Sequence, residues 1–245
     1  MAADLEVDVI AKNPKSRNPV LIEGFPGVGL VGNIATQQII HELNMEYLGA
    51  IHSKYFPPVA MLLEGRVNLP VRIYESAKNE LIAVVSDIPI HPSIAYIVSK
   101  SLINWAVSIN AREVVSVAGI PLENEEHAVF GAATTDEGIE NIKKLVEIFQ
   151  MGTISGIAGS IVTECASRNF PAISLLGSTH SQNPDPLAAV AVIKVLNDLY
   201  NLSIDTEKLV REAGHIELEM QKLAEDMRNT VEPEVGPQNP LAMYG

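Results

Sequence analysis

Pro19-Val20-Leu21-Ile22-Glu23-Gly24-Phe25-Pro26-Gly27-Val28-Gly29-Leu30-Val31-Gly32 is a short apolar run broken by a Gly/Pro turn. Leu30, Ile34 and Ile39-Ile40 then continue at roughly helical spacing. A strand, a tight turn and a helix in that order are how a parallel sheet begins. The literal Gly27-x-Gly29-x-x-Gly32 spacing suggests a dinucleotide loop. The acid it needs about 20 residues on, at the end of the next strand, is absent: Glu46 comes before its strand. Glycines that permit a tight turn and close helix-on-sheet packing explain the pattern without a cofactor, and none is expected.

Outward from this stretch, Ala60-Met-Leu-Leu63, Val71-Arg-Ile-Tyr74 and Leu81-Ile-Ala-Val-Val85 are strand-like, separated by Gly65 and by Lys78-Asn79. They predict a meander or hairpin between Tyr47 and Asp87. Ile94, Ile97, Val98, Leu102, Trp105 and Ile109 fall on one helical face, and a strand follows from Val114 to Ala118. A short strand is expected near Val129, a helix from about Asp136 to Phe149, another over Gly156 to Ser167, and a buried strand over Pro171 to Leu176. Asp185-Pro186 is a helix start: Asp accepts from free first-turn amides, and Pro sits where its missing N–H costs nothing. This alternation predicts a three-layer α/β sandwich with a mainly parallel central sheet over residues 1–204.

Leu209, Ala213, Ile216, Met220, Leu223 and Met227 follow a 4-3-4-3-4 spacing, a heptad seam on a helix expected over 205–229. The seam can pack on its own domain or on another subunit. Residues 230–245, with Pro233, Gly236, Pro237 and Pro240, are expected to form a flexible tail. The fifteen residues Val231 to Gly245 can reach at most ~50 Å at ~3.3 Å each. At the tip, Tyr244 offers a large ring with a hydroxyl, Met243 an adaptable neighbour and Gly245 an unhindered carboxylate. These three are the expected partner-binding residues. Burying ~150–250 Å² of tyrosine at ~25 cal/mol/Å² yields ~4–6 kcal/mol before the tail is ordered, so one tail binds weakly. Useful affinity needs several tails, hence a homo-oligomer.

Composition narrows the alternatives. The 245 residues are 47% hydrophobic and carry a net charge of −13, with no Lys/Arg cluster, so no nucleic-acid partner is expected. The one cysteine, Cys165, lies in an apolar stretch and reads as a core residue. No histidine pair has metal-ligand spacing on a helix. Met1 to Ile10 lacks the basic and apolar regions of a signal peptide, and no apolar run reaches membrane-spanning length. A cytoplasmic protein without membrane contact is expected. Asp87, His91, Glu123, Glu125, Glu126, His127, His180 and Asp185 fall near predicted strand ends. They motivate an alternative, a phosphorylase- or hydrolase-like enzyme with a site near Asp87, His91 and Glu123 to His127. Nothing orders them into nucleophile, base and orienter, so no catalytic residue is assigned.

Several segments together resemble the proteasome assembly chaperone family in its archaeal form: Gly24-Phe-Pro-Gly-Val-Gly-Leu-Val-Gly-Asn33, Gly119-Ile-Pro-Leu122, Gly156-Ile-Ala-Gly159 and Asn183-Pro-Asp-Pro-Leu-Ala-Ala189. The resemblance runs from about Pro19 to Ile204. It implies a sandwich related in fold to nucleoside phosphorylases, with no established catalytic centre and no ATP requirement. It also implies action as an assembly chaperone or as an activator of the completed core particle. Met243-Tyr244-Gly245 matches the Hydrophobic-Tyr-X tail that some members of the family carry, which enters pockets between α-ring subunits of the proteasome. An ATP-grasp label, sometimes given to related sequences, finds no support in the carboxylates and lysines present.

Overall fold

The computed structural model describes residues 7–63, 65–122, 127–180, 183–215, 218–219 and 222. Its strands are β1 (Asp8–Ala11), β2 (Val20–Gly24), β3 (Glu46–His52), β4 (Met61–Leu63), β5 (Arg66–Asn68), β6 (Val71–Ser76), β7 (Leu81–Ser86), β8 (Glu113–Pro121), β9 (Val129–Ala133), β10 (Glu147–Ile148) and β11 (Ala172–Thr179). Its helices are α1 (Val31–Glu42), α2 (Pro92–Ser108), α3 (Asp136–Ile142), α4 (Gly156–Ser167) and α5 (Pro186–Tyr200). A further helix begins at residue 207.

All strands but β4 and β5 join one sheet in the order β1-β3-β6-β7-β2-β8-β11-β9-β10. Its centre, β7-β2-β8-β11, is parallel, as the βα alternation requires. The meander puts antiparallel β6, β3 and β1 on one wing. On the other wing β9 runs antiparallel to β11, and β10 parallel to β9.

Every residue of β2, β7 and β11 is buried, so successive side chains must find apolar cover on opposite faces. Val20, Ile22, Val115, Val117, Ile173 and Leu175 meet α1 and α5 on one face. Leu21, Ile82, Val114 and Ala172 meet α2 and α4 on the other. The three-layer sandwich is thus the arrangement that covers both faces. Leu209, first residue of the heptad seam, is buried in the α1/α5 layer, so the final helix starts by packing on its own domain. The seam residues Ile216, Met220, Leu223 and Met227, and the tail, lie outside the described residues. Among the described residues no helix is long and apolar enough to cross a membrane.

The expected helix over Asp136 to Phe149 stops at Ile142. Phe149 N–H donates to the Gly131 carbonyl at 2.9 Å, and Glu147 and Ile148 pair with Phe130 and Gly131. Ile142 and Val146 both turn beneath Gly131, where a Cβ would come within 2.7 Å of each. Packing against β9 outweighs the helical period of the sequence.

Candidate functional site at the strand ends

The turn after β2 is shaped by contacts only glycine allows. A Cβ on Gly32 would lie 2.1 Å from the Val117 carbonyl oxygen, so the start of α1 rests directly on β8. Gly29 takes φ +62°, in the left-handed region. Its carbonyl accepts from Asp185 N–H at 2.8 Å, which ties the start of α5 to the turn. Gly29 and Gly32 of the Gly-x-Gly-x-x-Gly spacing therefore serve the turn and its packing, whereas a Cβ on Gly27 would meet open space.

Beside this turn, the ends of β8 and β11 bring together three of the strand-end residues. His127 Nε2 lies 3.3 Å from Asp185 Oδ1, and the rings of His127 and His180 are 6.4 Å apart. The Asp185 oxygen that faces His127 also accepts from Ala188 N–H at 2.9 Å. One carboxylate oxygen thus serves as the cap of α5 and as the partner of His127, an arrangement that orders the helix start. Among the described residues no three His, Cys, Asp or Glu side chains could hold a metal ion.

The remaining strand-end residues go elsewhere. Asp87 forms a buried, two-pronged ion pair with Arg72, one contact at 3.1 Å, and Arg72 Nε also donates to the Tyr74 hydroxyl at 3.0 Å. A buried pair of this kind costs about 3–5 kcal/mol to break from one side, which gives Asp87 a structural task. His91 is the N-cap of α2 and accepts from Ser93 N–H at 3.2 Å. Asp87 and His91 are thus engaged at the β6–β7–α2 corner while His127 faces Asp185 and His180, so the set that motivates an enzyme divides. Glu123, Glu125 and Glu126 lie outside the described residues, as do Met243, Tyr244 and Gly245.

Glu23 is the functional-looking group that reading by strand ends misses. It is wholly buried on the α2/α4 face, where its carboxyl accepts from Ser116 Oγ and, at 3.3 Å, from Phe25 N–H. Burial pushes its pKa up to about 7, against the opposing pull of the Ser116 and Phe25 hydrogen bonds. In register across the sheet, Ser174 lies opposite Ser116, and its buried Oγ has no hydrogen bond among the described residues. The signal was an acid inside Val-Leu-Ile-Glu-Gly, on the same face as Leu21. Cys165 is fully buried, and burial raises its thiol pKa to about 12, which removes it as a nucleophile near neutral pH.

The PAC2 family model matches residues 21–224. An uncharacterized protein of Methanocaldococcus jannaschii is 37% identical over 208 residues, covering 85% of this chain and 86% of the relative. The crystal structure of Pyrococcus furiosus PbaA, an archaeal homolog of proteasome-assembly chaperone, superposes with a TM-score of 0.84 at 33% identity, over 93% of this chain and 100% of that one. Pyrococcus furiosus PbaB, an archaeal proteasome activator, gives a TM-score of 0.73 at 25% identity, over 93% of this chain and 99% of that one.

Proposed function

We propose a function from one premise: this chain belongs to the PAC2 family. It acts as an ATP-independent assembly chaperone or activator of the proteasome. A homo-oligomer in the cytoplasm docks its C-terminal tails into pockets between α subunits of the core particle. The observation that carries this reading is the likeness to PbaA across that protein's whole length and nearly all of this chain. Likeness to PbaB supports the same partner. The division of labour follows the sequence: residues 1–204 form the folded body, 205–229 a heptad-patterned C-terminal helix, and 230–245 a tether ending in Met243-Tyr244-Gly245.

The physical logic lies in valence. One tyrosine anchor at the tip of a loose tether binds near millimolar at best, because ordering the tether consumes much of the gain. A second tail in the same oligomer binds at an effective concentration set by tether length, in the millimolar range for short linkers. Copy number, rather than a larger interface per tail, then supplies the affinity. Native mass measurement of the full chain alone and mixed with an archaeal core particle tests this. The expected result is an oligomer by itself and an oligomer-plus-particle complex in the mixture. A free oligomer beside an unchanged particle at micromolar concentrations would rule the function out.

A further inference from the structure

We propose that α4 is a lid over a buried polar row, Glu23, Ser116 and Ser174, and that it opens locally when Glu23 ionises. Glu23 on β2, Ser116 on β8 and Ser174 on β11 stand in register across three adjacent parallel strands, on the face that α2 and α4 cover. All three are fully buried. Side chains at this depth in a parallel sheet are normally apolar, as is Val84, the partner of Glu23 on β7. Two members of the row gain from water. The Glu23 carboxyl has Ser116 Oγ and Phe25 N–H as partners and no cation paired with it among the described residues. The Ser174 hydroxyl has no hydrogen bond among the described residues, and a buried hydroxyl without a partner favours any state in which water reaches it.

α4 is the element placed to admit that water. It packs directly on β8 and β11. Ala172 and Leu176, two residues either side of Ser174, are buried with Ile161 of α4 and with Ile154 just before it. The start of α4 is weakly held. Gly156 and Gly159 occupy its first turn, where they lower helix propensity. Ser155 makes no side-chain cap bond, whereas His91, Thr135 and Asp185 cap α2, α3 and α5. The backbone bond from Gly159 N–H to the Ser155 carbonyl is long, at 3.5 Å. A cleft of about 310 Å³, lined by Tyr96, Ser160 and Thr163 among others, leaves part of its α2 side unpacked. The far end is tied down: Arg168 pairs with Glu164 and donates to Asn104 Oδ1 on α2 at 2.7 Å. The lid therefore lifts from its Gly156 end, as a local opening that leaves the rest of the fold in place.

Few other ionisable groups face Glu23. α2 turns Val98, Ser99 and Leu102 inward, β7, β8 and β11 offer Val84, Ser116 and Ser174, and α4 brings Glu164 and Cys165. Glu164 is held by Arg168. Burial first, then Glu164 and Glu23, raise the Cys165 thiol to about 12, so it stays protonated. Covered, Glu23 keeps its proton to about 7, chiefly through burial; wetted, it releases it near 4.5. Between these values the open form binds fewer protons, so opening grows as pH rises across that window and levels off above it. The device loosens the α2/α4 layer near neutral pH and spares the α1/α5 layer, against which Leu209 and the final helix begin.

The test is hydrogen exchange of the full-length chain, read by mass spectrometry on peptides from α4 and, for comparison, from α1 and α5. Each rate is divided by that of an unstructured peptide at the same pH. In the native protein, opening of α4 is expected to grow roughly thirtyfold from pH 5 to pH 7 and to level off above, because the window adds close to a decade per pH unit. Amides of α1 and α5 are expected to stay at least about tenfold slower than those of α4. Glu23→Gln, which never ionises, is expected to remove the pH dependence. Ser174→Ala removes the hydroxyl that opening satisfies, and is expected to slow α4 exchange about tenfold at every pH with the pH dependence intact. Exchange in α4 that matches α1 and α5 at every pH, or a pH dependence retained in Glu23→Gln, would overturn the lid. If Glu23→Gln fails to fold, Ser174→Ala decides: unchanged or faster α4 exchange overturns the lid as well.

Discussion

Glu23 shows how one residue can be part of the core and still report on its surroundings. An unfolded carboxyl releases its proton near 4.5, whereas the folded Glu23 keeps it to about 7. Between those values the unfolded chain binds fewer protons than the native one, so this group's contribution to stability is full below 4.5 and is lost as pH rises to about 7. At about 1.36 kcal/mol per unit, the loss is on the order of 3 kcal/mol. Glu23→Gln keeps an acceptor for Ser116 Oγ and never ionises. Its melting temperature is expected to fall less between pH 5 and pH 8 than that of the native protein, and to exceed it at pH 8. Parallel declines measured by calorimetry would show that Glu23 ionises without penalty. The acid itself was legible within the apolar strand; its cost was not, because burial of both sheet faces depends on α2 and α4, far along the chain.

At the scale of elements, the start of α5 is the best-specified feature of the sequence. Asp185-Pro186 predicts α5, and the structure places Asp185 Oδ1 on Ala188 N–H, with His127 beside it. Asp185→Ala removes both contacts and is expected to cost about 0.5–2 kcal/mol in urea unfolding, while Asp185→Asn recovers the cap and most of that loss. If Asn fails to rescue, the pairing with His127 contributes more than the cap. Local signals of this kind are readable because donor and acceptor are three residues apart. The end of α3 was not readable, since it is set by Gly131 on β9 and by the pairing of Ile148, contacts that the helical period near residue 142 does not carry. The candidate site behaves likewise. Asp87, His91 and His127 all lie near strand ends as expected. What separates them is Arg72, which takes up Asp87 from the start of the neighbouring antiparallel strand β6.

For the whole molecule, the sandwich gives the helix at residue 207 a fixed starting point, because Leu209 is buried against the α1/α5 layer. Changes at the proposed terminal anchor are expected to weaken binding and leave the copy number of the body unchanged. The decisive comparison is co-sedimentation of core particles with the full-length protein and with a chain lacking Met243, Tyr244 and Gly245, both first verified to have the same native mass. Binding by the full-length oligomer and at least a tenfold loss on deletion is the expected outcome, since one decade is about 1.4 kcal/mol, well below the ~4–6 kcal/mol a single tyrosine anchor can offer. Equal binding by the two chains would mean that the tail is not the anchor.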